Sequence, residues 1–346
     1  MLDGEGRDNP KPRVTVKDLA RELGMSVSTV SRAFYQDAVI AAKTRELVLR
    51  KAAEIGYQPN PLARSLITKR TRIVGIVVAD ITNPFYPEAL TSLTDQLQAN
   101  DFNVMLVVAG ASRSVDDALR LLLSYQPDIA ILLAASLSSE ASAACRKAGT
   151  PLIFFNRYAA DGHAFAVTCD NIQGGRMVAD HLIDRGHRRL AFISGLGNVS
   201  TNVDRWEGFR SRCIERGLPP PLQGPPKAFS YEHGYASAVE MLSGGSRPDA
   251  IFCANDILAI GAMDAARREL GLRIPEDLSV VGFDGIKMAS WPSHALTTVR
   301  QPLEKMLRLT LDIVLALSRD ARLEPTIKHI PGEFIERNTT RFKDAD

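Results

Sequence analysis

The feature that most limits what this chain can become is a recurrence: seven short, apolar, β-rich runs, each followed by an amphipathic stretch of helical length. They lie at Ile73–Ala79, Asn103–Val108, Ile129–Leu133, Leu152–Phe155, Leu190–Ile193, Ala250–Cys253 and Ser279–Phe283. Strand alternating with helix is the pattern of parallel, doubly wound sheets, and runs that are apolar almost without interruption are buried on both faces. The repetition falls into two similar halves that change over near Asp170 to Gly174, which predicts two α/β subdomains. In such folds ligands bind at the carboxyl ends of the strands, so two subdomains place the site in the cleft between them.

Composition adds exclusions. With 346 residues, 45% hydrophobic and 24% charged, the chain has globular proportions and is neither disordered nor collagen-like. Cys145, Cys169, Cys213 and Cys253 include no C-x-x-C pair, which fits buried free thiols better than a zinc site or a disulfide framework. The opening MLDGEGRDNPKPR lacks an apolar signal core, and no stretch nears the roughly 18 apolar residues of a membrane span. A cytoplasmic protein without metal, cofactor or membrane partner is expected.

The net charge of +2 hides an asymmetry: residues 1–72 hold 14 Lys and Arg against 8 Asp and Glu, whereas the remainder holds 28 against 32. A basic head on a mildly acidic body suggests a polyanion partner for the head. The order of residues there reads as a helix-turn-helix. Thr15 and Asp18 form a capping-box-like start, Val16, Leu19, Ala20 and Leu23 share one helical face, and Gly24 ends the helix. Ser26 can cap a second helix with Met25, Val30 and Ala33 turned inward and Val27, Ser28, Ser31 and Arg32 turned out. A third helix, about Lys43 to Ile55, would close the core with Leu47, Val48, Ala52 and Ile55 before Gly56. The second helix would enter the major groove of double-stranded DNA. Arg32 would bridge O6 and N7 of a guanine, and Val27 and Ser28 would meet base edges. Lys17, Ser26, Thr29, Ser31, Lys43 and Thr44 are placed for phosphates or for fixing register. The competing reading is a helical hairpin with no DNA role.

VTVKDLARELGMSVSTVSRAF followed by AAKTRELVLRKAAEIGYQPNPLARSL resembles the DNA-binding head and hinge of the lactose-repressor (LacI/GalR) family of bacterial transcription regulators. The resemblance implies a small all-α helix-turn-helix head joined to a periplasmic-binding-protein-like α/β body of two doubly wound parallel subdomains. It implies a disordered tail at 1–12, the head at 13–58 and a hinge at 59–71. The N-terminal ligand-binding subdomain would take 72–170 plus about 301–330, and the C-terminal one 171–300 plus about 331–346. In the hinge, Asn60 would cap a short helix begun by Pro61, and Leu66 would wedge into the central operator step from the minor groove. An inert proline-containing linker is the alternative.

The loops after the strands carry Asp80, Asn156 and Arg157, Asp170, Thr201 and Arg205, Asn255 and Asp256, and Asp284, accompanied by Phe85, Tyr86 and Phe229. Arginine, carboxylates, amides and aromatic faces suit a polyhydroxylated or sugar-acid ligand. DITNPFY, the Asp170 of CDN, the Arg205 of DRWEGF, ANDILAIG and VVGFD are similar to the family's effector-pocket motifs. Arg205 and Asp284 stand out, because a charge after a buried strand needs a partner. Asp80, Asn156 and Asp256 can equally cap helices or tie loops. The purine-binding branch of the family has an arginine at the position of Val199, so its absence favours a carbohydrate or small carboxylate.

Other classes fit less of the chain. GLGNVS after Leu190–Ser194 is only a partial dinucleotide loop, and no H-E-x-x-H, G-x-S-x-G or G-K-[ST] motif occurs, which argues against an NAD-dependent or other enzyme. A periplasmic sugar-binding protein would not need the basic head. Two heads on related half-sites imply a homodimer and a near-palindromic operator. By resemblance, Ile260 and Trp291 fall in regions that pair across subunits, and the ending TTRFKDAD has no leucine heptads, so a dimer rather than a tetramer is expected. If Leu66 is the operator wedge, Leu66→Ala loses specific affinity in a gel shift while non-specific binding survives; unchanged operator affinity removes the wedge.

Overall fold

The computed structural model describes residues 14–34, 38–59, 70–79, 81–110, 112–133, 137–159, 162–245, 247–320 and 322–341. The expected tail, Asn60, Pro61, Leu66 and Asp80 lie outside them. The chain divides into two compact units, Met1–Thr71 and Arg72–Asp346.

Among the described residues the first unit holds three helices. Helix α1 (Val16–Leu23) opens on a full capping box, in which Asp18 accepts from the Thr15 amide at 3.0 Å, and closes on Gly24 at φ 62°. Helix α2 (Val27–Ala33) is capped by Ser26, whose hydroxyl accepts from the Thr29 amide at 3.1 Å. Helix α3 (Ala42–Ile55) ends at Gly56, φ 70°, a left-handed turn that glycine enters without strain. Leu19, Ala20, Val30, Ala33, Val48 and Ala52 form the buried centre. Leu47, expected inside, is 36% exposed: Val48, Ala52 and Ile55 set the inward stripe, and Leu47 sits about 100° off it. Phe34 and Tyr57, unassigned by the sequence reading, meet edge to face at 5.5 Å and flank this core.

Among the described residues the second unit holds two six-stranded sheets. Strands β1 (Ile73–Val78), β2 (Asn103–Val108), β3 (Ile129–Leu133), β4 (Leu152–Phe155), β5 (Phe165–Cys169) and β11 (Ile327–Ile330) form one, in the order β11-β5-β4-β3-β1-β2, all parallel. Strands β6 (Leu190–Ile193), β7 (Leu222–Gln223), β8 (Ala250–Cys253), β9 (Ser279–Asp284), β10 (Thr297–Arg300) and β12 (Glu333–Ile335) form the other, in the order β12-β10-β9-β8-β6-β7. In it only β12 is antiparallel to its neighbour. All seven expected strands occur. Of the five unforeseen ones, β7, β11 and β12 lie on sheet edges, and β5 and β10 lie inside their sheets but bury threonines, Thr168 in one and Thr297 and Thr298 in the other. Between the strands run α4 (Phe85–Ala99), α5 (Val115–Leu123), α6 (Ser139–Ala148), α7 (Asn171–Asp184), α8 (Ser200–Glu215), α9 (Tyr231–Leu242), α10 (Asp256–Arg268) and α11 (Leu303–Arg319). The chain passes between the sheets three times, after β5, after β10 and between β11 and β12.

All four cysteines are buried free thiols. Ile260, expected near a subunit boundary, is only 4% exposed and belongs to the hydrophobic core, whereas Trp291 is 51% exposed and stacks on His294. Among the described residues no helix is long and apolar enough to cross a membrane, and no cluster of His, Cys, Asp or Glu could hold a metal.

Two helix pairs meet backbone to backbone. A Cβ on Gly208 would stand 2.1 Å from the Ile172 carbonyl oxygen, and one on Gly175 would stand 2.3 Å from that of Arg205. Glycine is therefore what lets α7 and α8 touch. The same device joins α9 to α10 through Gly234 and Gly261. Gly208→Ala is expected to cost about 1–3 kcal/mol by overpacking, seen as a lower midpoint in urea unfolding of the full chain; an unchanged midpoint would mean the two helices separate freely.

Candidate functional site

The carboxyl ends of both sheets converge on a narrow cavity lined by Asn83, Tyr86, Asn156 and Arg157 from the first sheet's side and Thr201, Arg205, Phe229, Asn255 and Asp284 from the second.

At its floor Arg205 and Asp284 form an ion pair at 3.3 Å, with side chains only 2% and 4% exposed. Arg205 reaches it from α8 because the glycine contact with α7 brings its Nε to 2.8 Å from Asn171 Oδ1. Its Nη1 donates to the Ala254 carbonyl at the end of β8, and its guanidinium lies 3.7 Å over the Phe283 ring. Asp284, at the end of β9, accepts from Gln301 Nε2 at 2.7 Å and from Asn83 Nδ2 at 3.3 Å. Burial pushes the Asp284 carboxyl above its ordinary range, and the Arg205 guanidinium works against that push. Asp284 has φ 116° and Asn156 has φ 68°, so two cavity residues occupy backbone regions that side chains rarely adopt. Asp256 holds the strained turn: it accepts from Thr298 Oγ1 at 2.6 Å and from the Ile286 amide at 2.9 Å. Burial and the neighbouring Asp284 raise its pKa to about 8. Gly282 makes room for it, since a Cβ there would stand 2.2 Å from Asp256 Oδ1.

The remaining walls supply amides and rings. Asn156 Nδ2 donates to the Tyr86 hydroxyl at 3.1 Å, and Asn255 caps α10 by accepting from the Leu258 amide at 3.0 Å. Phe229 leans in over Gly195, where a Cβ would meet its ring at 2.2 Å. Asn156 Oδ1, Arg157 Nε and Asn255 Nδ2 are buried without a partner. The mouth is latched by contacts between the subdomains. Tyr158 donates its hydroxyl to Asp204 at 3.0 Å and its amide to Ser200 Oγ at 3.2 Å, and Lys287 lies 3.8 Å from Glu88. Burial, with Asp204 beside it, pushes Tyr158 up to about 12.

Of the expected cleft residues, Tyr86, Asn156, Arg157, Thr201, Arg205, Phe229, Asn255 and Asp284 come together. Phe85 does not: it is 4% exposed and stacks on Phe155 in the core, because its successor Tyr86 takes the cavity-facing position. Asp170 is the N-cap of α7, accepting from the Gln173 amide at 3.0 Å, and does not line the cavity. Asn83, Gln301 and the Tyr158–Asp204 latch escaped the sequence reading. Asn83 stood in view within ITNPFY, whereas Gln301 follows the unforeseen β10.

On the first unit, Lys17, Val27, Ser28, Arg32 and Lys43 are exposed, and Thr29, Ser31 and Thr44 are half-buried. Ser26 and Thr29 share a hydrogen bond between hydroxyls at 2.8 Å, so part of their capacity goes to the cap. Among the described residues no carboxylate pairs with Lys17, Arg32 or Lys43, whereas Arg21 pairs with Asp18 and Lys51 with Glu22 and Glu54.

Residues 15–60 match the family described as bacterial regulatory proteins, lacI family, and residues 179–340 match a periplasmic binding protein-like domain. The ribose operon repressor of Haemophilus influenzae is 30% identical over 303 residues, covering 87% of this chain and 91% of that protein. The lac repressor dimer bound to operator and the anti-inducer ONPF superposes with a TM-score of 0.85 at 26% identity, covering 95% of this chain and 99% of that one. A regulator of Enterococcus faecium with bound ribose superposes at 0.69 with 29% identity, covering 78% of this chain and 98% of that one.

Asp284→Ala would strand the Arg205 charge in the interior. It is expected to cost about 3–5 kcal/mol in urea unfolding of the full chain, and Arg205→Met combined with Asp284→Leu should recover most of the loss. A parent-like midpoint for Asp284→Ala would show that the pair carries no structure.

Proposed function

The chain belongs to the lacI family of bacterial regulatory proteins, and from that premise we propose that it is a cytoplasmic homodimeric repressor whose cleft takes a small polyhydroxylated effector, a sugar or sugar acid. The observation that carries the reading is the cavity itself. Its unpartnered polar atoms come from both subdomains, Asn156 and Arg157 on one side and Asn255 on the other, so one molecule bound there ties the two together. A transcription regulator needs such a link, because a ligand moves an equilibrium only by its differential affinity for the two states. Taking occupancy from nearly all to nearly none requires a preference of about 10⁴-fold, or about 5.5 kcal/mol. Hydroxyl groups on several faces of one small ring can meet donors and acceptors on both walls at once, and Tyr86 and Phe229 offer faces for its apolar side.

The ribose named for a relative and for a solved neighbour supports the sugar class. Val199, where the purine-binding branch carries arginine, speaks against a nucleobase. The exposed face of α2 supports the operator role: Val27, Ser28 and Arg32 project from its outer side, and Lys17 and Lys43 supply unpaired cations for phosphates. Dimerisation is supported by the dimeric lac repressor structure and by the exposed Trp291. Two heads then require a two-fold related pair of half-sites.

Selection of duplexes from a random pool by the full chain is expected to return near-palindromic sites, and recovery of unrelated sequences would overturn the operator reading. Arg32→Ala should relax preference at one symmetric pair of positions and cost about 1–3 kcal/mol per contact in anisotropy titrations. Equal weakening on every sequence would make Arg32 a phosphate contact instead.

A further inference from the structure

The charges lining the cavity do not balance. Arg205 and Asp284 neutralise each other, and Asp284 is further occupied by Asn83 and Gln301. That leaves Arg157. It is 5% exposed, its Nε is buried without a partner, and among the described residues none of its nitrogens donates a hydrogen bond and no carboxylate stands within ion-pair distance. Its recorded neighbour is the Phe229 ring, 5.9 Å from the guanidinium carbon, on the opposite subdomain.

A buried guanidinium without a counter-charge is costly, and an aromatic face relieves only part of that cost. Hydroxyl groups of a neutral sugar would satisfy its N–H donors and leave the charge uncompensated. A carboxylate satisfies both, because its two oxygens match the planar fork of the guanidinium. One uncompensated positive charge asks for one negative charge, which favours a monocarboxylate over a phosphate dianion. Beside Arg157, the unpartnered Asn156 Oδ1 can accept from a hydroxyl, and across the cavity Asn255 Nδ2 can donate to one. We propose that the effector is a small polyhydroxylated monocarboxylate, a sugar acid, bound with its carboxylate on Arg157. The inference rests on the cleft reading given above and narrows it to one charge class.

The test uses the full-length protein with matched probes: D-gluconate against D-glucitol, D-glucuronate against D-glucose, and D-galacturonate against D-galactose, with D-glucose 6-phosphate as a further arm. Thermal shift finds the binding pair and calorimetry measures it for the parent, Arg157→Gln and Asn255→Ala. The expected result is an acid bound about 100-fold or more tightly than its neutral counterpart, a margin that Arg157→Gln erases. Without added probe, the Tm of Arg157→Gln should equal or exceed the parent's, since the substitution removes an uncompensated buried charge; a lower Tm would mark Arg157 as structural and count against the proposal. If a neutral sugar binds as well as its acid, Arg157→Gln leaves it unchanged and Asn255→Ala abolishes it, the charge inference falls and the cleft reading stands. If neither variant alters the binding of any probe, the cleft reading falls as well. Binding of the phosphate alone, or of no probe, overturns the carboxylate assignment.

Discussion

The buried pair of Arg205 and Asp284 is the interaction on which the body depends. Desolvating two charges can cost more than their attraction returns, so such a pair stands only where the surroundings satisfy the rest of each group. Here Asn171, the Ala254 carbonyl and the Phe283 face serve the arginine, and Gln301 and Asn83 serve the carboxylate. Each provider has its own requirement. Asn171 is within reach because Gly175 and Gly208 let α7 and α8 touch. The strained turn at Asp284 is held by Asp256, which fits only over Gly282. Several glycines scattered along the sequence thus serve one ion pair.

That pair belongs to the second sheet, yet Asn83, which donates to it, comes from the first sheet's side. Further polar contacts cross the cleft: Tyr158 with Asp204 and Ser200, and Glu88 with Lys287. A net hydrogen bond contributes about 0.5–1.5 kcal/mol and an exposed ion pair less. A handful of them therefore makes closure favourable by a few kcal/mol, the same scale as the differential binding a switch requires. Polar latches keep the closed arrangement within range of one ligand's binding energy.

What the sequence made legible follows the same division. Strands buried on both faces announce themselves as apolar runs, and the head announces itself through caps and glycines at fixed offsets, because these are local requirements. Residues set by tertiary context stayed hidden. Gln301 is unremarkable until β10 is known to deliver it to Asp284, and β10 itself reads TTVR, polar in sequence but buried because its threonines bond to Asp256 and to the tail at Thr339. Asp170 and Phe85 were misplaced for a related reason. A carboxylate after a strand can cap the next helix or face a ligand, and of two adjacent aromatics only one can face the cavity; the side-chain direction that decides both is tertiary information.

The head solves a different electrostatic problem. Among its described cations, Arg21, Arg50 and Lys51 are matched with Asp18, Glu22 and Glu54, Arg45 donates to the Ala38 carbonyl, and Lys17, Arg32 and Lys43 have no carboxylate partner among the described residues. Pairing exposed charges adds little stability, but it removes them from the long-range field and leaves the excess on the residues proposed to meet DNA. That field fades within a Debye length of about 8 Å at physiological salt, whereas the hydrogen bonds proposed for Arg32 to a base would act only in contact. Attraction to a polyanion and discrimination among its sequences are thereby assigned to different residues, so ionic strength can weaken the first while leaving the pattern of the second intact.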